Sequence, residues 1–468
     1  MEAIATIILA AGKGTRMKSD LVKVLHPILG LPMLSYTIDL SLNRIKAERT
    51  IVVVGHQADR IRETFQDPRL HFALQEEQLG TGHAVSQAVP FLDGFDGTIL
   101  ILCGDVPLVK AETLHSFLTA FWQDRSVLTV LTAVVERPFG YGRILRTREG
   151  WLKKIVEEKD ASEKEKQIRE INTGIFCAKA SYLTEALKEI GQENAQGEYY
   201  LTDLAEIARE KGLTCSAHTV SDPREVMGIN TRVDLAMANE VLRQEKVDEL
   251  MLSGVTIVDP KNIYIDKMVE VERDTILYPN CVLQGKTKVG RRCVIEPGAK
   301  ISDSIIWDEV TIRSNSVIIE SQVEEGAAIG PFAHLRPLSE IKAKAKIGNF
   351  VEVKKSVIGR GSKANHLTYI GDSTVGEEVN IGAGTITCNY DGYDKHRTII
   401  GNRVFVGSNV ELVAPVKVGN NASIGAGTTI TKDVPAGALA ISRVRQKNIE
   451  GWTQKARLRR KATPKKQG

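Results

Sequence analysis

The chain has no Cys-x-x-Cys pair; its six cysteines, Cys103, Cys177, Cys215, Cys281, Cys293 and Cys388, are scattered along it. That excludes a zinc ribbon and a disulfide scaffold, and it points to core thiols in a reducing, cytoplasmic compartment. No apolar run approaches the roughly 18 residues of a membrane span. The apolar stretch Ala3 to Ala11 is preceded by Glu2 and followed by Gly12-Lys13-Gly14, so it reads as a buried strand rather than a signal peptide. The body also lacks a surplus of one charge. Of the formal +4, seven basic residues (Lys455, Arg457, Arg459, Arg460, Lys461, Lys465 and Lys466) sit without an acid in the last sixteen positions, which leaves −3 for the rest. The body is near neutral, so the basicity does not argue for a nucleic-acid-binding fold, and the basic tail is expected to be solvated and mobile. What remains is a globular chain of 468 residues, 42% hydrophobic and 26% charged, long enough for two or three domains.

Two periods divide it. Through about residue 230, β-rich runs at Ala5 to Leu9, Thr50 to Val54, Thr98 to Leu102 and Ser126 to Val134 alternate with amphipathic segments. This predicts an α/β unit built on a parallel sheet covered on both faces, with ligands beyond the carboxyl ends of its strands. The second half repeats every six residues, as in Val271, Leu277, Leu283, Val289, Ile295 and Ile301, and again in Ile400, Val406, Leu412, Val418, Ile424 and Ile430. Four positions after most of these stands a small or β-branched residue, such as Thr275, Cys281 or Ala422. Six residues make about 1.67 helical turns, which would scatter the pattern around an α-helix. Three short strands per coil accommodate it, giving a parallel β-helix of hexapeptides with glycine-rich corners such as Gly425 to Gly427. Two stretches, Gly330 to Lys346 and Cys388 to Thr398, are expected to leave the prism as loops. Between the halves, Val233 to Ser253 has the spacing of an amphipathic linker helix.

The segment Leu9-Ala10-Ala11-Gly12-Lys13-Gly14-Thr15-Arg16-Met17 follows the first strand directly. Glycines at such a turn let backbone N–H groups approach a phosphate, although Gly-x-Gly also serves as a plain tight turn. It fits neither a P-loop nor a dinucleotide fingerprint. Lys23 and Arg16 place two cations by the loop that could offset triphosphate charge or simply be solvated. Asp105, in Cys103-Gly104-Asp105-Val106-Pro107, ends a buried strand where a carboxylate holds Mg²⁺ or forms a turn. In the second half His366 opens a coil. Arg336, Lys354, Tyr369, Asn380 and Tyr390 lie in nearby coils as a cationic and aromatic surround suited to a sugar phosphate, although lone histidines are more often structural.

These segments, together with Gln75, Gly80-Thr81-Gly82, Gly140-Tyr141-Gly142-Arg143, Val156-Glu157, Asn172-Thr173-Gly174, Gly228-Ile229-Asn230, His334-Leu335-Arg336-Pro337, Phe350 to Lys355 and Asn389-Tyr390, resemble the sugar-phosphate nucleotidyltransferases. Among these the chain is most similar to the bacterial bifunctional N-acetylglucosamine-1-phosphate uridylyltransferase and glucosamine-1-phosphate acetyltransferase family, over nearly its whole length. The resemblance implies a Rossmann-like nucleotidyltransferase domain over 1–232, a linker helix over 233–253 and a left-handed parallel β-helix over 254–468. It implies that Leu9, Ala10, Ala11, Gly12, Gln75, Gly80 and Thr81 contact uracil and ribose, and that Lys23 and Arg16 face phosphates. Gly142, Glu157 and Asn172 would contact the sugar, and Asp105 and Asn230 would hold Mg²⁺. Cys103 departs from the tyrosine that relatives often carry before Gly104, so it keeps at most a backbone contact.

By the same resemblance His366 is the general base that takes a proton from the amine of glucosamine 1-phosphate as it attacks acetyl-CoA. Arg336 and Lys354 would bind the sugar's phosphate, while Tyr369, Asn380, Asn389 and Tyr390 orient sugar and acyl group. Ala383, Ser408, Ala426 and Arg443 would line the coenzyme A groove. Acetylation would then feed transfer of a uridylyl group from UTP, giving UDP-N-acetylglucosamine for peptidoglycan and lipopolysaccharide in the cytoplasm. A homotrimer is implied; no nucleic-acid partner and no membrane span are expected. Two rivals stay open at this point. One is a nucleotidyltransferase whose β-helix only oligomerises or regulates it, and the other is a non-catalytic scaffold that presents loops to a protein partner.

Overall fold

The computed structural model describes residues 2–462 and divides the chain into two compact units, Met1–Lys246 and Val247–Gly468. The boundary falls inside one helix, Arg232–Leu252.

In the first unit, β1 (Ile4–Leu9), β2 (Arg49–Val54), β3 (Leu70–Leu74), β4 (Thr98–Cys103), β5 (Leu128–Val134), β6 (Arg143–Arg146), β7 (Leu152–Val156), β8 (Glu170–Lys179) and β9 (Cys215–Thr219) form one sheet. The spatial order is β9-β5-β8-β4-β1-β2-β3, with the hairpin of β6 and β7 attached to β8. Both faces are covered, because alternate residues of one strand enter opposite cores. Ile7, Ile51 and Ile99 pack with Phe176 and Leu183 on one side, whereas Ile8, Val52 and Leu100 pack with Phe117 and Phe121 on the other. That two-sided burial is why the strands read as continuous apolar runs.

The sheet is not wholly parallel as the alternation predicts: β8 runs antiparallel to both β4 and β5. The chain leaves β5 through the β6–β7 hairpin and one short 3-10 turn, Glu165–Gln167, with no crossover helix. Without a crossover it re-enters the sheet from the end it left, which forces the reversed direction.

The second unit is a parallel β-helix. Successive coils pair in register, Ile276↔Val294 and Leu277↔Ile295 on one face, Val282↔Lys300 and Leu283↔Ile301 on the next, and Glu270↔Lys288 on the third. Both six-residue series point inward, as does the small set offset by four; Leu277, Leu283, Ile295, Thr275 and Cys293 are all fully buried. Hydroxyls at the small positions satisfy coil carbonyls, as Thr275 Oγ1 does toward the Gly290 oxygen at 2.7 Å. A small hydroxyl residue there fills the corner and removes an orphan acceptor.

Three expectations change. The stretch Gly330 to Lys346 stays in the prism, with Leu335, Ile341 and Ile347 buried and strands at His334–Leu335 and Glu340–Ile341; its polar residues face outward, and the inward positions never left the six-residue step. Glycine turns only some corners. Asn315 (φ 58°), Asn409 (φ 52°) and Asn421 (φ 57°) adopt the left-handed conformation elsewhere. Each is held by its N–H to a carbonyl of the coil before it, at 2.8–3.1 Å, and asparagine tolerates that region. The basic tail is helical over Trp452–Ala462 with Lys455 and Arg457 exposed, while Lys465 and Lys466 lie outside the described residues. The Cys388 to Thr398 break does leave the prism: strands stop at Cys388 and resume at Thr398, and Tyr390 and Tyr393 are exposed between them. Among the described residues no helix is long and apolar enough to cross a membrane.

Candidate active sites

The carboxyl ends of β1, β3 and β4 open into a cleft of about 290 Å³. Each strand extends one residue beyond its last rung: Ala10 N–H donates to Val53 O at 2.9 Å, Gly104 N–H to Leu9 O at 2.9 Å and Gln75 N–H to Val54 O at 2.7 Å. This delivers the following residues to the cleft wall. Leu9, Ala10, Ala11, Gly12, Lys23, Gln75, Gly80, Thr81, Cys103 and Asp105 line it, joined by Val24, Gln78, Ala84 and Glu198, which sequence reasoning missed. A Cβ on Gly12 would meet nothing within 4 Å, so the space over that turn is free for a ligand. Gly14, at φ 61°, lets the loop close on Lys23; a Cβ there would stand 2.5 Å from Lys23 Cβ.

Lys23 is the hub. Its ammonium pairs with Asp105 Oδ2 and reaches Asn230 Oδ1 at 3.3 Å, and Arg16 donates to that same Asn230 oxygen at 2.8 Å. Ile229 N–H, bonded to the Asp105 carbonyl at 2.9 Å, brings the 228–230 segment here. Asp234 accepts the N–H groups of Asn230 and Thr231 at 3.0 and 2.8 Å, so it fixes the loop that carries Asn230. A cation therefore already lies between one carboxylate and one amide oxygen. That donor set suits Mg²⁺, which takes one or two protein oxygens and fills its shell with phosphate and water. Among the described residues no group of three or more His, Cys, Asp and Glu is arranged to hold a metal.

Gly142, Glu157 and Asn172 come together beside this cleft. A Cβ on Gly142 would lie 3.4 Å from Asn172 Cβ and 3.5 Å from Glu157 Oε1. Asn172 Oδ1 accepts from Gly174 N–H at 3.0 Å, and the Gly174 carbonyl accepts from the Cys103 thiol at 3.4 Å, which links this trio to the cleft. Burial pushes the Glu157 carboxyl above its ordinary range against the opposing hydrogen bond from Thr202 at 3.3 Å. Burial, helped by the Asp105 charge, pushes the Cys103 thiol up to about 12, so it is no nucleophile.

In the second unit Lys346–Lys354 and Lys363–Gly371 are long strands that round a corner together, pairing Asn349↔His366 and Lys354↔Gly371. His366 is exposed at that corner, and its Nδ1 lies 2.6 Å from Asn349 Oδ1. An amide oxygen accepts only, so Nδ1 carries the proton and Nε2 is left free as a base. Directly above, successive coils stack the same position. Gly384 N–H bonds Leu367 O at 3.0 Å, Asn409 N–H bonds Ala383 O at 2.8 Å, Gly427 N–H bonds Ser408 O at 2.9 Å and Arg443 Nη1 bonds Ala426 O at 2.8 Å. Thus His366, Ala383, Ser408, Ala426 and Arg443 form one column of small residues ending in a cation. Asn380 stands beside it, paired with Lys363.

At the other end of the same face lie Arg336 and Lys354. The Lys395 ammonium, on the extruded loop and unanticipated from sequence, meets the Lys354 ammonium directly, and that contact, with burial and then like-charge repulsion, holds Lys354 below its ordinary pKa. Arg336 donates to Glu352 Oε1 at 2.9 Å, and Tyr369, paired in register with Glu352, lies next to them. Asn389, buried, bonds the Asp372 carboxylate, while Tyr390 is exposed. Three cations against two carboxylates, Glu352 and Asp372, leave a net positive seat for a phosphate. Within one chain, however, the His366 corner and Lys354 stand at opposite ends of the short face, Val351 to Lys354, that follows the corner.

Residues 6–175 match the model of the MobA-like NTP transferase domain, and residues 397–432 match that of the bacterial transferase hexapeptide, six repeats. The chain is 53% identical over 453 residues to the bifunctional protein GlmU of Pelobacter propionicus, covering 97% of this chain and 98% of that one. It is likewise 53% identical to the same-named proteins of Trichlorobacter lovleyi, over 98% of this chain and 99% of that one, and of Geobacter sulfurreducens, over 98% and 100%.

Proposed function

The chain belongs to the bifunctional GlmU family, and on that premise we propose how its own residues carry the two transfers that make UDP-N-acetylglucosamine. It is a bifunctional enzyme joining a nucleotidyltransferase to a hexapeptide acyltransferase. Acetyl transfer from acetyl-CoA to glucosamine 1-phosphate comes first, and uridylyl transfer from UTP to N-acetylglucosamine 1-phosphate follows.

In the cleft of the first unit, the backbone of Leu9 to Gly12 with Gln75, Gly80 and Thr81 takes the nucleoside. Gly142, Glu157 and Asn172 take the sugar. A 1-phosphate oxygen attacks the α-phosphorus of UTP, forming the new P–O bond as the bond to pyrophosphate breaks. The chain contributes position and charge rather than a nucleophile. Lys23 and Arg16 neutralise the phosphates as Lys23 exchanges its carboxylate partner for them. Asp105 and Asn230 would hold Mg²⁺, which when bound supplies further positive charge to the phosphate oxygens. The observation that carries this half is the Lys23 ammonium lodged between Asp105 and Asn230.

On the β-helix, His366 Nε2 takes a proton from the amine as its nitrogen attacks the thioester carbonyl. The tetrahedral intermediate then expels the coenzyme A sulfur, which takes the proton held by His366 and leaves as the thiol. Asn349 positions the imidazole. Arg336, Lys354 and Lys395 seat the sugar's phosphate, and the column of Ala383, Ser408, Ala426 and Arg443 takes coenzyme A. The hexapeptide repeats support oligomerisation, and in a homotrimer a neighbouring copy would complete the site. Tyr369, Asn380, Asn389 and Tyr390 orient sugar and acyl group. The reaction would run in the cytoplasm, with all six cysteines free, and supply cell-envelope polymers; the catalytic division would follow residues 1–232, 233–253 and 254–468.

The test follows two products from purified protein. Adding glucosamine 1-phosphate to acetyl-CoA releases free thiol, and adding N-acetylglucosamine 1-phosphate to UTP releases pyrophosphate only when Mg²⁺ is present. Thiol release without pyrophosphate release, or the reverse, contradicts the two-site reading.

A further inference from the structure

Gln75 is buried to 3% exposure at the end of β3, and its side chain reaches the cleft wall. Its Nε2 lies 3.1 Å from the Gly80 carbonyl oxygen and 3.2 Å from His83 Nδ1. A carbonyl can only accept, so the amide nitrogen, not the amide oxygen, faces Gly80. The Gly80 carbonyl is itself fixed. At φ 112° the residue sits where a Cβ would strike the Tyr199 backbone at 2.6 Å, and Gly82 N–H and Tyr199 N–H clasp the two segments at 2.8 Å each. With Nε2 so oriented, its second hydrogen points at His83 Nδ1, which is therefore the accepting ring nitrogen.

The other ring nitrogen meets Gln87, whose Nε2 lies 3.1 Å from His83 Nε2 and 3.4 Å from the His83 carbonyl. Gln87 Nε2 also lies 3.3 Å from Ser86 Oγ, a hydroxyl that can donate to an amide oxygen as readily as accept from an amide nitrogen, so these longer contacts hold Gln87 less firmly than Gly80 holds Gln75. The conflict is therefore relieved by Gln87 presenting its oxygen to a protonated Nε2. The His83 ring also packs against Tyr199, centroids 6.2 Å apart, which limits its rotation.

We infer that His83 is a positioning residue for nucleobase choice: together with the Gly80 carbonyl it consumes both amide hydrogens of Gln75, so only Oε1, an acceptor, is left to meet the base. This rests on the reading above that Gln75 faces the nucleobase. An acceptor pairs with the N3–H of uracil and repels the N3 lone pair of cytosine. Selection of UTP over CTP then comes from a neighbour that itself need not touch the nucleotide.

The experiment compares kcat and KM for UTP and CTP in the full-length protein. His83→Phe keeps a ring against Tyr199 but offers no acceptor. It is expected to raise the KM for UTP, to leave kcat within about twofold, and to lower the UTP-over-CTP ratio of kcat/KM about tenfold, the loss of one hydrogen bond. His83→Asn, whose amide oxygen can accept from Gln75, restores most of that ratio. Unchanged discrimination in His83→Phe overturns the proposal. If thermal unfolding shows that variant to be misfolded, His83→Ala against His83→Asn decides, and equal ratios in the two overturn it. A wild-type enzyme that itself fails to prefer UTP instead overturns the placement of Gln75 at the base, which separates the two failures.

Discussion

The two units assemble their sites in opposite ways. In the sheet unit, Lys23, Asp105 and Asn230 are far apart in sequence and meet at one edge of the sheet: Asp105 follows β4 directly, and the loops that carry Lys23 and Asn230 bond to it there. In the β-helix, each site residue sits a coil away from its neighbour, as Asn349 does from His366, and the array is linear. Parallel crossover topology concentrates distant residues; a solenoid spreads nearby ones. The first arrangement closes a site inside one chain. The second leaves an exposed base at one corner and a phosphate seat at the other end of the face.

The sharpest way to break this contrast is to silence each unit alone. Asp105→Asn removes the carboxylate from the cleft and is expected to cut pyrophosphate release by about 10³-fold, on the scale of losing a transition-state charge contact. Acetyl transfer should be unchanged in that variant. His366→Ala should lower thiol release by about 10²–10⁴-fold with uridylyl transfer intact. Loss of both activities in either variant would mean that the units are not separate catalysts.

A cavity in the prism tests the same separation energetically. Leu283 is fully buried in the β-helix core, and Leu283→Ala should destabilise that unit by about 2–5 kcal/mol. Calorimetry would show its transition moving down while uridylyl activity survives at temperatures below it. Smaller still is the effect of the hydrogen bond that aims the base. Asn349→Ala should lower kcat for acetyl transfer about tenfold without changing the KM for acetyl-CoA, and Asn349→Asp, which keeps an accepting oxygen, should remain within a few-fold of wild type.

The smallest effect concerns pH. Burial raises Glu157 above the ordinary carboxyl value. Between those two values the folded protein holds a proton that the unfolded chain has released. This contribution to stability is therefore present at lower pH and lost as pH rises through the folded value. Glu157→Gln removes that dependence. Its thermal midpoint should match or exceed wild type at neutral pH, while its KM for N-acetylglucosamine 1-phosphate rises; a clear drop in the neutral-pH midpoint would contradict the account.

Legibility followed the same divide. The β-helix announced itself because each inward position recurs every six residues, and Leu277 to Ile301 and Val406 to Ile430 are buried as that period requires. Yet Gly330 to Lys346 reads as a loop, since its outward polar residues mask the inward Leu335 and Ile341. The reversed strand β8 was invisible because its direction depends on a missing crossover helix, not on its own apolar residues. In the sites, strand-end residues such as Asp105 and Gln75 stood out through the turns that follow them. Their supports, Asp234, His83, Asn349 and Lys395, did not, because each acts through a partner that only folding brings near. Lys395 carried one weak signal, its place inside the stretch between Cys388 and Thr398 that interrupts the coil.

The central claim is that this chain carries the residues of two separable catalysts. Its most direct test mixes the Asp105→Asn and His366→Ala proteins with glucosamine 1-phosphate, acetyl-CoA, UTP and Mg²⁺. Neither variant alone should form UDP-N-acetylglucosamine at more than a trace, and the mixture should form it as N-acetylglucosamine 1-phosphate passes through solution from one protein to the other. A mixture as inactive as its components would contradict the claim.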